Sequence, residues 1–282
     1  MAMTKERLKE LAQPILKGLF GKQLPYHLRV KMEEEERPPV RPIGMIVTDL
    51  CRLPEEAWAK YAFSREPLNG KFTDEQRVEL AAKASECGRA MAERLAAEHG
   101  SRDPVRLARK MGLTVDYPQI PQNASRVLFA EFKEPNQIFI YMDGVEKGNI
   151  LMKEPGVRRA LGAQFDISSL LLGHELFHKV ELLYPKELWS STYKIRLWKL
   201  GPVHNDSTII TLGEIAAMAF AQTLCGIKWS PYVMDSYLVY GYSPEAASAL
   251  YEEMMTFGGQ TPRLPEDVTP EDALPPDALD EE

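Results

Sequence analysis

The stretch from Asp166 to Pro185 constrains the fold more than any other part of the sequence. Ile167, Leu170, Leu171 and Val180 recur at helical spacing, Asp166 is an N-cap, and Tyr184-Pro185 is a stop. The same face carries His174 and His178, with Glu175 directly after the first histidine, in the run Gly173-His174-Glu175-Leu176-Phe177-His178. Residues four apart on a helix lie one turn apart on one face. Two imidazoles so placed can share one Zn2+ at about 2.0–2.1 Å each. Glu175 then projects beside the ion, where it can take a proton from an activated water and pass it to a leaving amine.

A catalytic zinc needs a third protein ligand and one open position. Glu214 is the preferred candidate, because the segment Leu212 to Gln222 reads as a second strong helix and gives it a rigid mount. Ala217 and Ala221 follow it on the same face, and small residues there allow two helix backbones to approach. The rival is His204, in the loop-like Gly201 to Asp206, which could complete a three-histidine set. His27 and His99 read as structural or solvent-exposed.

The rest of the 282-residue chain frames that helix. Thr73 and Gln76 form a capping-box pattern and Gly100 a stop, with Leu80, Ala84, Cys87, Met91 and Leu95 as the buried stripe between them. Asp103, Pro104 and Gly112 bracket a second, short helix. The period then changes. Leu113–Tyr117, Val127–Phe132 and Gln137–Tyr141 read as strands, with Glu134-Pro135-Asn136 as a turn. A small antiparallel sheet is expected, followed by helices from Asp143 to about Phe257. The fold class is therefore α+β and mostly helical. The expected organisation is an N-terminal helical extension over 1–72, a main domain over 73–257, and a disordered acidic, Pro-rich tail over 258–282.

Charge and composition exclude several roles. Eight acids and no base lie between Glu266 and Glu282, and without them the chain is within one charge of neutrality. A neutral body gives no electrostatic case for direct nucleic-acid binding. Three cysteines (Cys51, Cys87, Cys225) do not make a disulfide scaffold and fit a reducing compartment. No apolar run approaches the roughly 20 residues that cross a bilayer, and no signal-peptide core is visible, so a cytoplasmic protein is expected. Near the N-terminus, Leu8, Leu11, Ile15, Leu16 and Leu19 form an apolar helical stripe, read as packing on the main domain. Glu33 to Glu36 followed by Arg37-Pro38-Pro39 reads as a solvated run and connector.

With these residues in place, the sequence resembles the ImmA/IrrE-like metallopeptidases. The likeness begins at Asp103-Pro104-Val105-Arg106-Leu107-Ala108-Arg109-Lys110-Met111-Gly112-Leu113 and continues through the sheet to Gly173–His178. It resumes at the glutamate-and-alanine helix Glu214–Leu224, and extends weakly into Tyr242-Ser243-Pro244-Glu245-Ala246-Ala247, covering about residues 80–257. It implies a zincin-like core and a cytoplasmic zinc endopeptidase with His174, His178 and Glu214 as ligands of one catalytic ion and Glu175 as general base. The implied substrate is a regulatory protein, above all a helix-turn-helix repressor. The alternative is a non-catalytic zinc module that displaces a repressor without cutting it. His204 and Tyr232 are candidate oxyanion donors by position, and Tyr141 is a weaker one. Gln137–Tyr141 is a candidate edge strand for pairing with a peptide. The sequence departs from the family in the 35 residues between His178 and Glu214, where Trp189–Leu200 looks inserted, and in residues 1–72. Trp229–Pro262 holds no Lys or Arg, which argues against a DNA-binding segment there.

Overall fold

The computed structural model describes residues 39–122 and 127–273. The N-terminal stripe Leu8–Leu19, His27 and the Glu33–Glu36 run lie outside the described residues.

Twelve α-helices occur among the described residues: α1 (Ile43–Leu50), α2 (Glu55–Phe63), α3 (Asp74–His99), α4 (Pro104–Lys110), α5 (Met142–Leu151), α6 (Pro155–Leu161), α7 (Ile167–Leu183), α8 (Trp189–Thr192), α9 (Ile210–Cys225), α10 (Val233–Tyr240), α11 (Pro244–Phe257) and α12 (Pro270–Ala273). The strands are β1 (Thr114–Asp116), β2 (Ala130–Lys133), β3 (Gln137–Ile140), β4 (Lys194–Leu200) and β5 (Val203–Thr208). The architecture is α+β. None of the described helices is long and apolar enough to cross a membrane.

Local signals set the main helix ends. At α3, Thr73 Oγ1 accepts from the Gln76 amide at 3.3 Å while the Thr73 amide donates to Gln76 Oε1 at 2.9 Å. Gly100 closes the helix in the left-handed region at φ 64°. Asp103 Oδ1 accepts from the Val105 amide at 2.8 Å and Pro104 occupies the first turn of α4.

Three helices define the interior. α9 lies between α3 and α7, and glycine makes both contacts close. A Cβ on Gly88 of α3 would fall 2.0 Å from the Ala216 carbonyl oxygen of α9. A Cβ on Gly173 of α7 would fall 3.3 Å from Ala221 of α9. Backbones packed this near can bring side chains from two helices to one point.

The sheet is mixed and not purely antiparallel. β2 and β3 form the expected hairpin across residues 134–136, but β1 pairs with β3 in parallel, giving the order β1-β3-β2. A tight turn allows only β2 to fold back antiparallel; β1, joined through a long segment, takes the free side of β3 in the same direction. Gln137–Tyr141 is therefore central, and the strand with an open side next to α7 is β2.

Two further expectations fail for a related reason. The chain is not continuously helical from Asp143 to Phe257: β4 and β5 form an antiparallel hairpin with a bulge between Arg196 and Trp198. Ile195 and Leu197 alternate with Lys194 and Arg196 and are half-buried, but Trp198, Lys199 and Leu200 break the alternation and are exposed. Nor does a domain boundary fall at 72/73. Ile46, Leu50, Trp58, Tyr61 and Phe63 belong to the same core as α3, α7 and α9.

The acidic segment after Phe257 is also built in as far as Ala273. Arg263 bridges two carboxylates, donating to Asp49 at 2.8 and 2.9 Å and to Asp272 at 2.9 Å through each terminal nitrogen. Burial opposes the Asp272 charge, but Arg263 and Thr269 hold its carboxyl below the ordinary value. The Asp272 carbonyl seats between α1 and α6, where a Cβ on Gly44 or Gly156 would lie 2.0 or 1.9 Å away. Composition favours disorder, but two ion pairs and two glycine seats overrule it.

Candidate metal centre

α7 is capped by Asp166, whose carboxylate accepts from the Ser168 and Ser169 amides at 3.1 and 3.2 Å. Its second half carries His174, Glu175 and His178; Glu175 is 1% exposed. Lys179, on the same turn, donates to the Pro135 carbonyl at 3.0 Å and to Asn136 Oδ1 at 2.7 Å. That anchor ties the middle of α7 to the β2–β3 turn and lays β2 against Glu175.

Glu214 arrives from α9. The ligand atoms of His174, His178 and Glu214 all lie within 4.8 Å of one another, so the three residues could hold a metal ion. His174 Nε2 is 3.5 Å from Glu214 Oε2, and the two imidazoles meet edge-on with centroids 5.1 Å apart. His178 Nδ1 is 3.0 Å from Glu181 Oε2, which leaves Nε2 of that ring for the cluster. Two nitrogens and one carboxylate oxygen leave a divalent ion with a position to spare.

Glu175 stands beside this set without belonging to it. Its Oε2 accepts from the Phe132 amide of β2 at 2.7 Å. Its Oε1 is buried and has no hydrogen-bond partner among the described residues. An orphaned carboxylate oxygen inside a protein is costly, and a water or ion at the cluster relieves the cost. Burial pushes the Glu175 carboxyl up, Glu214 adds to the shift, and His178, His174 and the Phe132 amide oppose it. Burial opposes a charge on His178, but Glu181, Glu214 and Glu175 outweigh it and push the imidazole up to about 9. Carboxylates that draw a proton to this point also draw a cation, which must displace the proton from His178.

The site opens into a cavity of about 390 Å³. Phe132 and Glu134 form one wall, Glu175, His178 and Glu214 the floor, and the chain at Ser190 and Thr208 the far wall. The stretch that looked inserted therefore bounds the cleft at its base, while its hairpin exposes Trp198, Leu200 and Val203.

The remaining candidates do not line this cavity. His204 is on the exposed strand β5, with Nε2 3.5 Å from Asp206 Oδ2, and does not line this cavity. Tyr232 is buried, stacked on Trp58 and edge-on to Tyr61, and faces a separate cavity of about 240 Å³. Burial first, then Glu214 and Asp235, hold its hydroxyl well above the usual tyrosine range. Tyr141 precedes α5 and donates to Glu131 Oε2 at 3.4 Å. His99 is half-buried at the end of α3.

Three participants are not apparent from the motif alone. Glu181 was readable, since it follows His178 by three residues on the same helix. Asp235 had a fainter signal, as a lone acid in the apolar run Val233–Val239. It is fully buried, accepts from the Tyr61 hydroxyl at 2.7 Å, and is close enough to His174 to feel its charge. The Phe132 amide had none, because only the tertiary structure brings β2 to α7. Compared with known proteins, the chain matches no family model, no curated protein and no solved structure.

Proposed function

We propose that the chain is a zinc-dependent endopeptidase with a zincin-like core of the ImmA/IrrE-like kind, acting on a regulatory protein such as a helix-turn-helix repressor. One observation carries the reading: a buried carboxylate, Glu175, is fixed through one oxygen by the Phe132 amide and keeps its other oxygen unpartnered beside a His174–His178–Glu214 donor set. Two histidines and a glutamate are a donor set suited to catalytic zinc. Zinc held there would supply Lewis acidity toward a carbonyl and lower the pKa of water.

The chain's own groups perform the rest. Glu175 receives a proton at Oε1 from the attacking water and returns it to the leaving amine. Its burial raises the carboxyl pKa, which makes it the better base and then the better acid near neutral pH. The Phe132 amide keeps it from turning away. Phe132 and Glu134 line the cavity at the end of β2, so an extended peptide lying in it would pass its backbone over Glu175. The neutral body and the cation-free Trp229–Pro262 stretch favour a protein substrate over nucleic acid.

The test is Glu175→Gln, which retains an acceptor for the Phe132 amide. The expected outcome is one zinc per chain in both proteins, with cleavage of a random decapeptide library slowed at least ~100-fold in the variant. Wild-type protein that binds no zinc, or a variant that cuts as fast, overturns the proposal.

A further inference from the structure

We infer that Glu181 is a positioning residue for His178, holding the imidazole by Nδ1 so that Nε2 is presented to the ion shared with His174 and Glu214. The inference rests on the metal reading of this site and adds a residue to it. Glu181 Oε2 lies 3.0 Å from His178 Nδ1. An imidazole can donate from only one nitrogen and still offer a lone pair from the other, so a carboxylate on Nδ1 selects the tautomer that ligates through Nε2. The contact occupies Nδ1, and Glu181 is not among the three residues whose ligand atoms converge, so it supports a ligand and is not a fourth ligand itself.

The second oxygen of the same carboxylate is also placed by the fold. A Cβ on Gly213 would fall 2.7 Å from Glu181 Oε1. Gly213 immediately precedes Glu214, so the absence of a side chain there makes the room that Glu181 fills. One carboxylate therefore touches a ligand on α7 and rests against the turn of α9 that presents the third ligand. Glu181 and His178 are both only partly exposed, 27% and 21% by side chain, so solvent screens this contact only in part.

The experiment measures zinc affinity of the full chain at pH 7.5 by competition with a chromophoric chelator, and the His178 tautomer by nitrogen-15 NMR of zinc-free, histidine-labelled protein at pH 10, where the ring is neutral. Glu181→Ala is expected to weaken zinc binding about 10–100-fold and to lose the single Nδ1–H tautomer. Glu181→Gln, whose amide oxygen still accepts from Nδ1–H, is expected to recover much of both and serves if the alanine variant does not fold. Gly213→Ala, which presses on Oε1, is expected to weaken zinc binding in wild type but hardly at all in the Glu181→Ala background. Zinc affinity within twofold of wild type in Glu181→Ala, with the tautomer unchanged, overturns the inference while leaving the metal site standing. Fully additive losses for Gly213→Ala and Glu181→Ala also overturn it. A wild-type chain with no zinc affinity overturns this inference and the proposed function together.

Discussion

Gly88→Ala tests whether the close approach of α3 and α9 builds the metal centre. The new Cβ would lie 2.0 Å from the Ala216 carbonyl oxygen, 2.8 Å from its carbon and 3.0 Å from its Cα. Since real Cβ contacts essentially never fall under 3.0 Å, the helices must separate by about 1 Å. The obstacle is helix backbone, so no side chain can rotate out of the way. Overpacking of this kind costs about 3 kcal/mol, at the upper end of the usual range. The better helix propensity of alanine returns about 1 kcal/mol. A net loss of about 2 kcal/mol lowers Tm by roughly 4–8 °C in a domain of this size. Ala216 is two residues beyond Glu214, so zinc affinity is expected to fall as well. Scanning calorimetry and chelator competition measure both. Gly173→Ala is the internal control: its Cβ would meet Ala221 at 3.3 Å, a contact that small shifts can absorb, so its Tm should fall by less than half as much. A Gly88→Ala protein as stable as wild type, or no worse than Gly173→Ala, refutes the reasoning.

Asp235 makes stability depend on pH in a known direction. Burial raises its carboxyl to about 7 from an ordinary 3.8, with Arg65, Tyr61 and His174 pulling the other way. The unfolded chain loses the proton near pH 4 and the folded chain only near 7, so this group costs stability progressively as pH rises across that window. Asp235→Asn should therefore match wild type near pH 4 and exceed it above pH 7, by at most about 4 kcal/mol. Urea unfolding of chelator-treated protein at pH 4 and pH 8 checks this; a larger gain at pH 4 refutes it. Arg263→Ala should cost about 3 kcal/mol in urea unfolding, because it leaves the buried Asp272 and the half-buried Asp49 without their shared cation. Arg263→Lys should recover only part, since an ammonium cannot span both carboxylates as a guanidinium does. A loss under ~1 kcal/mol for Arg263→Ala would show that the 260–273 segment is held by something else.

What the sequence determined was local. Caps at Thr73, Asp103 and Asp166, stops at Gly100 and Tyr184-Pro185, and the His174–Glu175–His178 spacing are set by residues within a turn of one another. The pairing with Glu214 was readable because a rigid apolar helix with alanines on one face has few ways to pack. Tertiary structure decided the rest, and in each case the partner is distant in sequence. β1 takes the side of β3 that β2 leaves open and runs parallel to it. Residues 43–63 enter the core, and Arg263 and Asp272 fold an acidic stretch that composition alone marks as soluble chain. Phe132 meets Glu175 across 43 residues of sequence. Periodicity reports which face a segment buries, but it carries no information about which other segment covers it. That choice is made by the shape and charge of surfaces that exist only once the chain has closed on itself.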